Sequence, residues 1–129
     1  MPETGIDWRS ARLRKHADYQ RVYQASRRYS SQSMTYFFRE REGNGPQPRV
    51  GLTTGRALGA AVERNRIRRR MREAVRLHLA QLPARVDVVL HPRRAVLDLE
   101  FIRLEREVAR IFASIGSNPA RPAPAGEKA

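Results

Sequence analysis

Seven arginines fall within ERNRIRRRMREAVR (63–76), with two glutamates and one amide, Asn65, among them. A guanidinium is a planar fork that stays protonated, and it suits bidentate contacts to phosphate and to base edges. On a helical wheel Arg64, Arg68 and Arg72 stand one turn apart along one edge of an apolar stripe. Asn65, Arg69 and Arg76 lie just beyond them, and Arg66 and Arg70 point further round. A solvated face laced with ion pairs needs acids, and only Glu63 and Glu73 lie within the stretch. Like charges at i, i+4 destabilise a helix by roughly 0.2–0.5 kcal/mol each. Repulsion repeated down one edge therefore points to an anionic partner, with nucleic acid ahead of a membrane surface, because the apolar stripe is needed for a core.

Other chemistries find less support. His16, His78 and His91 are scattered, and His78, at helical spacing from Met71 and Val75, reads as a core-edge histidine. Asp18, Asp87 and Asp98 show no tight paired spacing, so a two-metal nuclease centre is unsupported. GRALG is only Gly-x-x-x-Gly, without the lysine of a phosphate loop. The chain has no cysteine, which excludes disulfides and thiolate metal sites and fits a reducing compartment. No apolar run is long enough for a membrane span, and no signal-peptide core stands at the N-terminus, so a cytoplasmic protein is expected. With 26 Lys plus Arg against 13 Asp plus Glu, the net charge of +13 suits a polyanionic partner, since binding releases condensed counterions.

The elements that must position these residues follow from hydrophobic period. The 129 residues suit one modest core. Residues 1–12 read as a basic extended arm, 13–116 as one domain, and the Pro/Ala-rich 117–129 as a disordered tail. In HADYQRVYQAS, Tyr19, Val22 and Tyr23 share one face of a short helix. SMTYFFR (33–39) alternates: Met34, Tyr36 and Phe38 point to the core, and Thr35, Phe37 and Arg39 point away. RVGLTT is a second strand with Val50 and Leu52 inward. A Gly-rich turn then leads into a long helix over roughly 60–81, with Ile67, Met71, Ala74, Val75 and Leu82 as its stripe. VDVVLH (86–91) is almost continuously apolar, as a central strand is, and Pro92 marks its end. Asp98 is expected to cap a last helix, with Phe101, Leu104, Val108, Ile111, Phe112 and Ile115 as its apolar face and Gly116 closing it. The fold class is α+β: a two-layer sandwich with a small mixed sheet and an arginine-rich long helix, in the order α-β-β-(β)-α-β-α.

GAAVERNRIRRRMREAVR closely resembles the arginine-rich RNR signature of the protein subunit of bacterial ribonuclease P. DYQRVYQ resembles that family's first helix, RVGLTT its strand before the glycine turn, and VDVVLHPRRAVLDL its last strand and connection. The likeness runs over approximately residues 12–115, in the right order. It implies a small basic protein that binds a large catalytic RNA. That RNA, with magnesium ions that it holds itself, removes the 5′ leader from precursor tRNA. It further implies that Arg64, Asn65, Arg66, Arg68, Arg69 and Arg72 contact the RNA subunit or help order ions around it. A leader-binding cleft between the first helix and the sheet would be lined by Tyr19, Tyr23 and Phe37, with Arg39 beside them. No catalytic residue and no metal site are expected in the protein. The chain departs from the family at the glycine turn, where Gly55, Arg56 and Ala57 replace a small hydroxyl residue and two lysines, and at Ala60, which replaces a frequent asparagine. Arg56 keeps one of the cations.

From spacing alone Tyr19 and Tyr23 could be core, and Trp8 could either stack a base or pack down. Single-stranded RNA sites pair basic grooves with aromatic platforms, so the chemistry of these residues agrees with the resemblance. The alternative function is a ribosomal or ribosome-assembly protein bound to folded RNA. A stand-alone ribonuclease is disfavoured by the missing acid–base constellation.

Overall fold

The structure is a computed structural model, and it describes residues 8–43 and 45–117. Residues 1–7 of the expected arm and the tail from 118 onward lie outside the described residues. A four-stranded mixed sheet in the order β1-β2-β4-β3 carries the molecule. Its strands are β1 (Tyr29–Ser30), β2 (Met34–Glu40), β3 (Arg49–Leu52) and β4 (Val86–Pro92). Its helices are α1 (Trp8–Ala11), α2 (His16–Ala25), α3 (Ala61–His78) and α4 (Phe101–Ser117). β1–β2 and β2–β4 run antiparallel, whereas β3 and β4 run parallel with Val50 opposite Val88 and Leu52 opposite Leu90. A parallel pair needs a crossover, and here α3 is the crossover.

Alternation along β2 places Met34, Tyr36 and Phe38 in the main core, with Val50 of β3 and Val88 and Leu90 of β4. α3 and α4 close that face through Ile67, Met71, Ala74, Val75, Leu104, Val108, Ile111, Phe112 and Ile115. α2 crosses the opposite face and buries Val22 with Leu13 and Val89. β4 is therefore covered on both sides, which accounts for its unbroken apolar run.

Four boundaries differ from expectation. The arm does not stay extended over 1–12: Trp8–Ala11 forms a helical turn, and Arg12 then bridges Val50. Ala11 enters the main core and Leu13 the smaller cluster, where the Leu13 N–H donates to the Val50 carbonyl at 2.9 Å. Two apolar residues are too few to show a period. β1 is the bracketed strand, and it precedes β2. Asp98 does not cap α4; it ends a 3₁₀ turn over Arg94–Leu97, and α4 starts beyond it, with the Glu100 carbonyl accepting from the Arg103 and Leu104 amides. Gly116 does not stop α4, which runs on to Ser117.

Two buried acids hold the open side of the sheet. Arg41 is 2 % exposed, and it donates to Asp87 at 2.8 Å and to the carbonyls of Gly43, Gly45 and Gln47, which fixes the loop before β3. Arg49 clasps the other side of Asp87 with two 2.9 Å bonds and reaches Asp18 of α2 at 3.5 Å. Asp18 also pairs with Arg21 at 2.9 Å. Removing water lowers the Arg41 pKa against the pull of Asp87, and the Asp87 hydrogen bonds raise that of Arg49. Asp18 and Asp87, unrelated in the sequence, thus meet through one arginine and pin α2 to the sheet.

Candidate nucleic-acid interface

The turn into α3 passes through Gly59, whose φ of +133° is open to glycine, and where a Cβ would fall 2.3 Å from Glu63 Oε1. Glu63 folds back onto the Ala60 N–H at 3.1 Å and takes two bonds from Arg94, which together hold its pKa down to about 2. Ala60, at the N-cap, has no side-chain acceptor to return to the first turn. Glu73 is held by Arg76 in an i, i+3 pair at 2.6 Å. Both acids of the stretch are therefore already committed, and one of the two partners lies outside it.

Arg64, Arg68 and Arg72 run along a half-buried edge of α3. Arg64 Nε donates to the Gly59 carbonyl at 3.2 Å. Arg68 spans Asn65 Oδ1 and the Thr54 hydroxyl, the latter at 2.7 Å. The lone amide of the stretch thus orients an arginine. Arg66, Arg69 and Arg72 have no hydrogen-bond or ion-pair partner among the described residues, and Arg66 and Arg69 stand exposed. Arg56 is exposed in a 3₁₀ turn, Arg56–Leu58, just before α3. Arg70 points the other way and donates to the carbonyls of Val96 and Leu99, so it anchors the connection between β4 and α4.

The outward face of the sheet carries the aromatic group. Tyr19, Tyr23 and Phe37 pack, half-buried, on the Leu13–Val22–Val89 cluster. Tyr23 meets Phe37 edge-on with centroids 5.0 Å apart. His91, paired with Thr35 across the β2–β4 ladder, completes the group 5.3 Å from Phe37. Its Nε2 lies 2.9 Å from the Tyr23 hydroxyl. Burial lowers the His91 pKa, aided by the charge of Arg28, which favours the neutral ring. Burial raises the pKa of both Tyr19 and Tyr23, which keeps them as phenols. The Tyr19 hydroxyl donates to the Leu13 carbonyl at 3.3 Å, and its ring lies flat over Gly51, where a Cβ would fall 2.6 Å from the hydroxyl oxygen. Arg39 shares the outward side of β2 with Phe37 but lines neither cavity beside Tyr19.

Those two cavities join the aromatic group to the arginine edge. One, about 390 Å³, is lined by Arg14, His16, Tyr19, Gln20, Tyr23, Leu52 and Thr53. The other, about 210 Å³, is lined by Trp8, Arg12, Leu13, Tyr19, Leu52, Arg68 and Arg72. Tyr19 and Leu52 stand in both. Rings stand on one side of this junction and guanidinium groups on the other, the pairing that single-stranded nucleic-acid sites use. The sequence named Tyr19, Tyr23, Phe37 and the ribbon; the structure sets Arg12, Thr54 and His91 beside them. His91 carried one signal, its position at the end of a central strand. His78 is half-buried at the core edge against Glu105 and Gln81, as its spacing suggested. Among the described residues no group of three or more His, Asp or Glu is placed to hold a metal ion, and no helix is long and apolar enough to cross a membrane.

Comparison with known proteins adds a family. The family model for ribonuclease P matches residues 8–116. The chain is 41 % identical over 109 residues to the ribonuclease P protein component of Oleidesulfovibrio alaskensis, covering 78 % of this chain and 87 % of that one. It is 40 % identical over 105 residues to that of Chloroflexus aggregans, covering 81 % and 76 %. In fold it is similar to a Staphylococcus aureus RNase P protein mutant, with a TM-score of 0.71 at 24 % identity over 84 % of this chain and 89 % of that one. It is similar also to the RNase P protein from Thermotoga maritima, with a TM-score of 0.68 at 23 % identity over 79 % and 94 %.

Proposed function

The chain belongs to the ribonuclease P protein family, and from that premise we propose that it works in the cytoplasm as the protein subunit of a ribonucleoprotein that matures tRNA 5′ ends. The arginine edge of α3, with Arg64, Asn65, Arg66, Arg68, Arg69 and Arg72 and with Arg56 at its start, binds a catalytic RNA. The rings of Tyr19, Tyr23 and Phe37, with Arg39 at the margin, bind the unpaired leader of precursor tRNA. Magnesium ions held mainly by the RNA supply the chemistry of cleavage. Every group named on this chain binds and orients.

The observation that carries this reading is the junction at Tyr19, where one ring lines both the aromatic cavity and the arginine cavity. A protein bound only to folded ribosomal RNA has little use for such a junction, because paired bases present no free faces to stack.

The test measures the affinity of the reconstituted holoenzyme for precursor tRNA and for mature tRNA. Tyr23→Ala and Phe37→Ala should weaken precursor binding by about 1–3 kcal/mol each and largely spare mature tRNA. Each variant's melting temperature is recorded alongside, because truncating a buried ring costs roughly 3–5 kcal/mol of stability. Equal loss of both substrates would remove the leader assignment. Cleavage that follows RNA-free protein through every purification step would remove the division of labour between protein and RNA.

A further inference from the structure

The 210 Å³ cavity between the first helical turn and α3 contains a feature that RNA-subunit and leader binding, as described above, leave unused. Trp8 forms one wall, half-buried against the main core. Its indole Nε1 is buried and has no hydrogen-bond partner among the described residues. A buried indole N–H ordinarily finds an acceptor. Tyr19 forms a second ring of the lining. Arg12, Arg68 and Arg72 supply three guanidinium groups, of which Arg12 and Arg72 have no side-chain partner among the described residues. Among the described residues no acid lines the cavity. Two aromatic rings and three cations within so small a space match one chemical unit: a flat heterocycle attached to a phosphate.

We propose that this cavity is a single-nucleotide pocket, which takes one unstacked base of RNA against Trp8 while Arg12, Arg68 and Arg72 hold the flanking phosphates. The inference rests on the RNA-binding reading above and adds to it a place and a residue. The base lies against the Trp8 ring, which lines the cavity. Tyr19 is shared with the aromatic cavity, so a nucleotide here is continuous with a strand lying there. Two RNAs could supply it, the leader or an unpaired nucleotide of the RNA subunit, and the chemistry is common to both.

Trp8 is the only tryptophan in the chain, so its emission reports this pocket alone. Stacking a base on the indole should quench it. Emission is followed in the full-length protein with the RNA subunit alone, then in the holoenzyme with precursor tRNA and with mature tRNA. Fluorescence anisotropy of labelled RNA gives binding independently. Quenching by the RNA subunit alone assigns the nucleotide to that RNA; quenching only with precursor assigns it to the leader. In whichever arm quenches, Trp8→Ala should weaken binding roughly tenfold and Trp8→Phe, which keeps a ring, by clearly less. Binding seen by anisotropy with unchanged emission in all three arms overturns the pocket and leaves the proposed function standing. Absence of RNA binding by anisotropy overturns both. If Trp8→Ala melts early, the unmutated protein's emission and the Trp8→Phe affinity still decide: quenching with a Trp8→Phe deficit well short of tenfold supports the pocket, and no quenching rejects it.

Discussion

A methyl group at residue 51 would meet the Tyr19 ring at 2.6–2.8 Å, closer than any real contact of that kind. Gly51→Ala must therefore push the phenol off the sheet, at a cost of about 1–3 kcal/mol if the neighbours cannot yield. The expected result is a lower melting temperature together with weaker binding of leader-bearing RNA, and an unchanged affinity would show that Tyr19 does not face the RNA. His91 makes a pH-dependent prediction. Its folded pKa lies below the ordinary 6.5 because burial disfavours the charged ring. Between that depressed value and 6.5 the unfolded chain binds more protons than the folded one, so stability falls as pH drops through this window. Above it the contribution is fully present. Denaturant midpoints measured from about pH 7 to 5 should fall, and His91→Phe should flatten that slope. Strand alternation put Phe37 on the outward face, whereas spacing left Tyr19 and Tyr23 open between core and cleft, and only the family resemblance set them in the cleft. His91 was not legible, because it meets Tyr23 from 68 residues away and spacing carries no information about such pairs.

At the scale of elements, period decided what could be read. β2, α3, β4 and α4 are long enough to show their patterns, and their buried faces are close to the expected ones, except that α4 also buries Glu107 and leaves Phe101 half-buried. Leu82, read as the end of the α3 stripe, is buried too, although the helix has by then become a 3₁₀ turn over Leu79–Gln81. α1 and β1 span 4 and 2 residues, too short for any repeat, and their packing depends on partners elsewhere in the chain. The start of α3 offers a direct test of local physics. Glu63 returns a bond to the Ala60 N–H, but alanine cannot complete the exchange. Ala60→Asn should supply the missing acceptor and stabilise the protein by about 0.5–2 kcal/mol, read as a higher denaturant midpoint. No gain would mean that the Glu63–Arg94 pair already fixes this end.

The whole molecule carries a net charge of +13, and its effect depends on where that charge is held. Arg68 is oriented by Asn65 and Thr54, and Arg72 lines the cavity beside it. Arg106 is an exposed arginine on α4 and does not line that cavity. Arg68→Ala and Arg72→Ala should each reduce the magnitude of the salt slope for RNA-subunit binding by roughly 0.7–0.9 and weaken binding more than Arg106→Ala does. Equal effects at all three would mean that diffuse charge, not the edge, attracts the RNA. Charge and topology meet in α3. That helix is the only path by which β3 can come to lie parallel to β4, so the sheet cannot close until a segment crowded with like charges has wound up and docked. Non-local strand pairing is slow in any case. Here the barrier is electrostatic as well, and it lies on the way to the native state rather than on the way out. Sulfate, or RNA itself, should therefore raise the refolding rate more than it lowers the unfolding rate, as stopped-flow chevrons would register. In a cell, the nascent protein would reach its native state soonest in the company of the RNA it is built to hold.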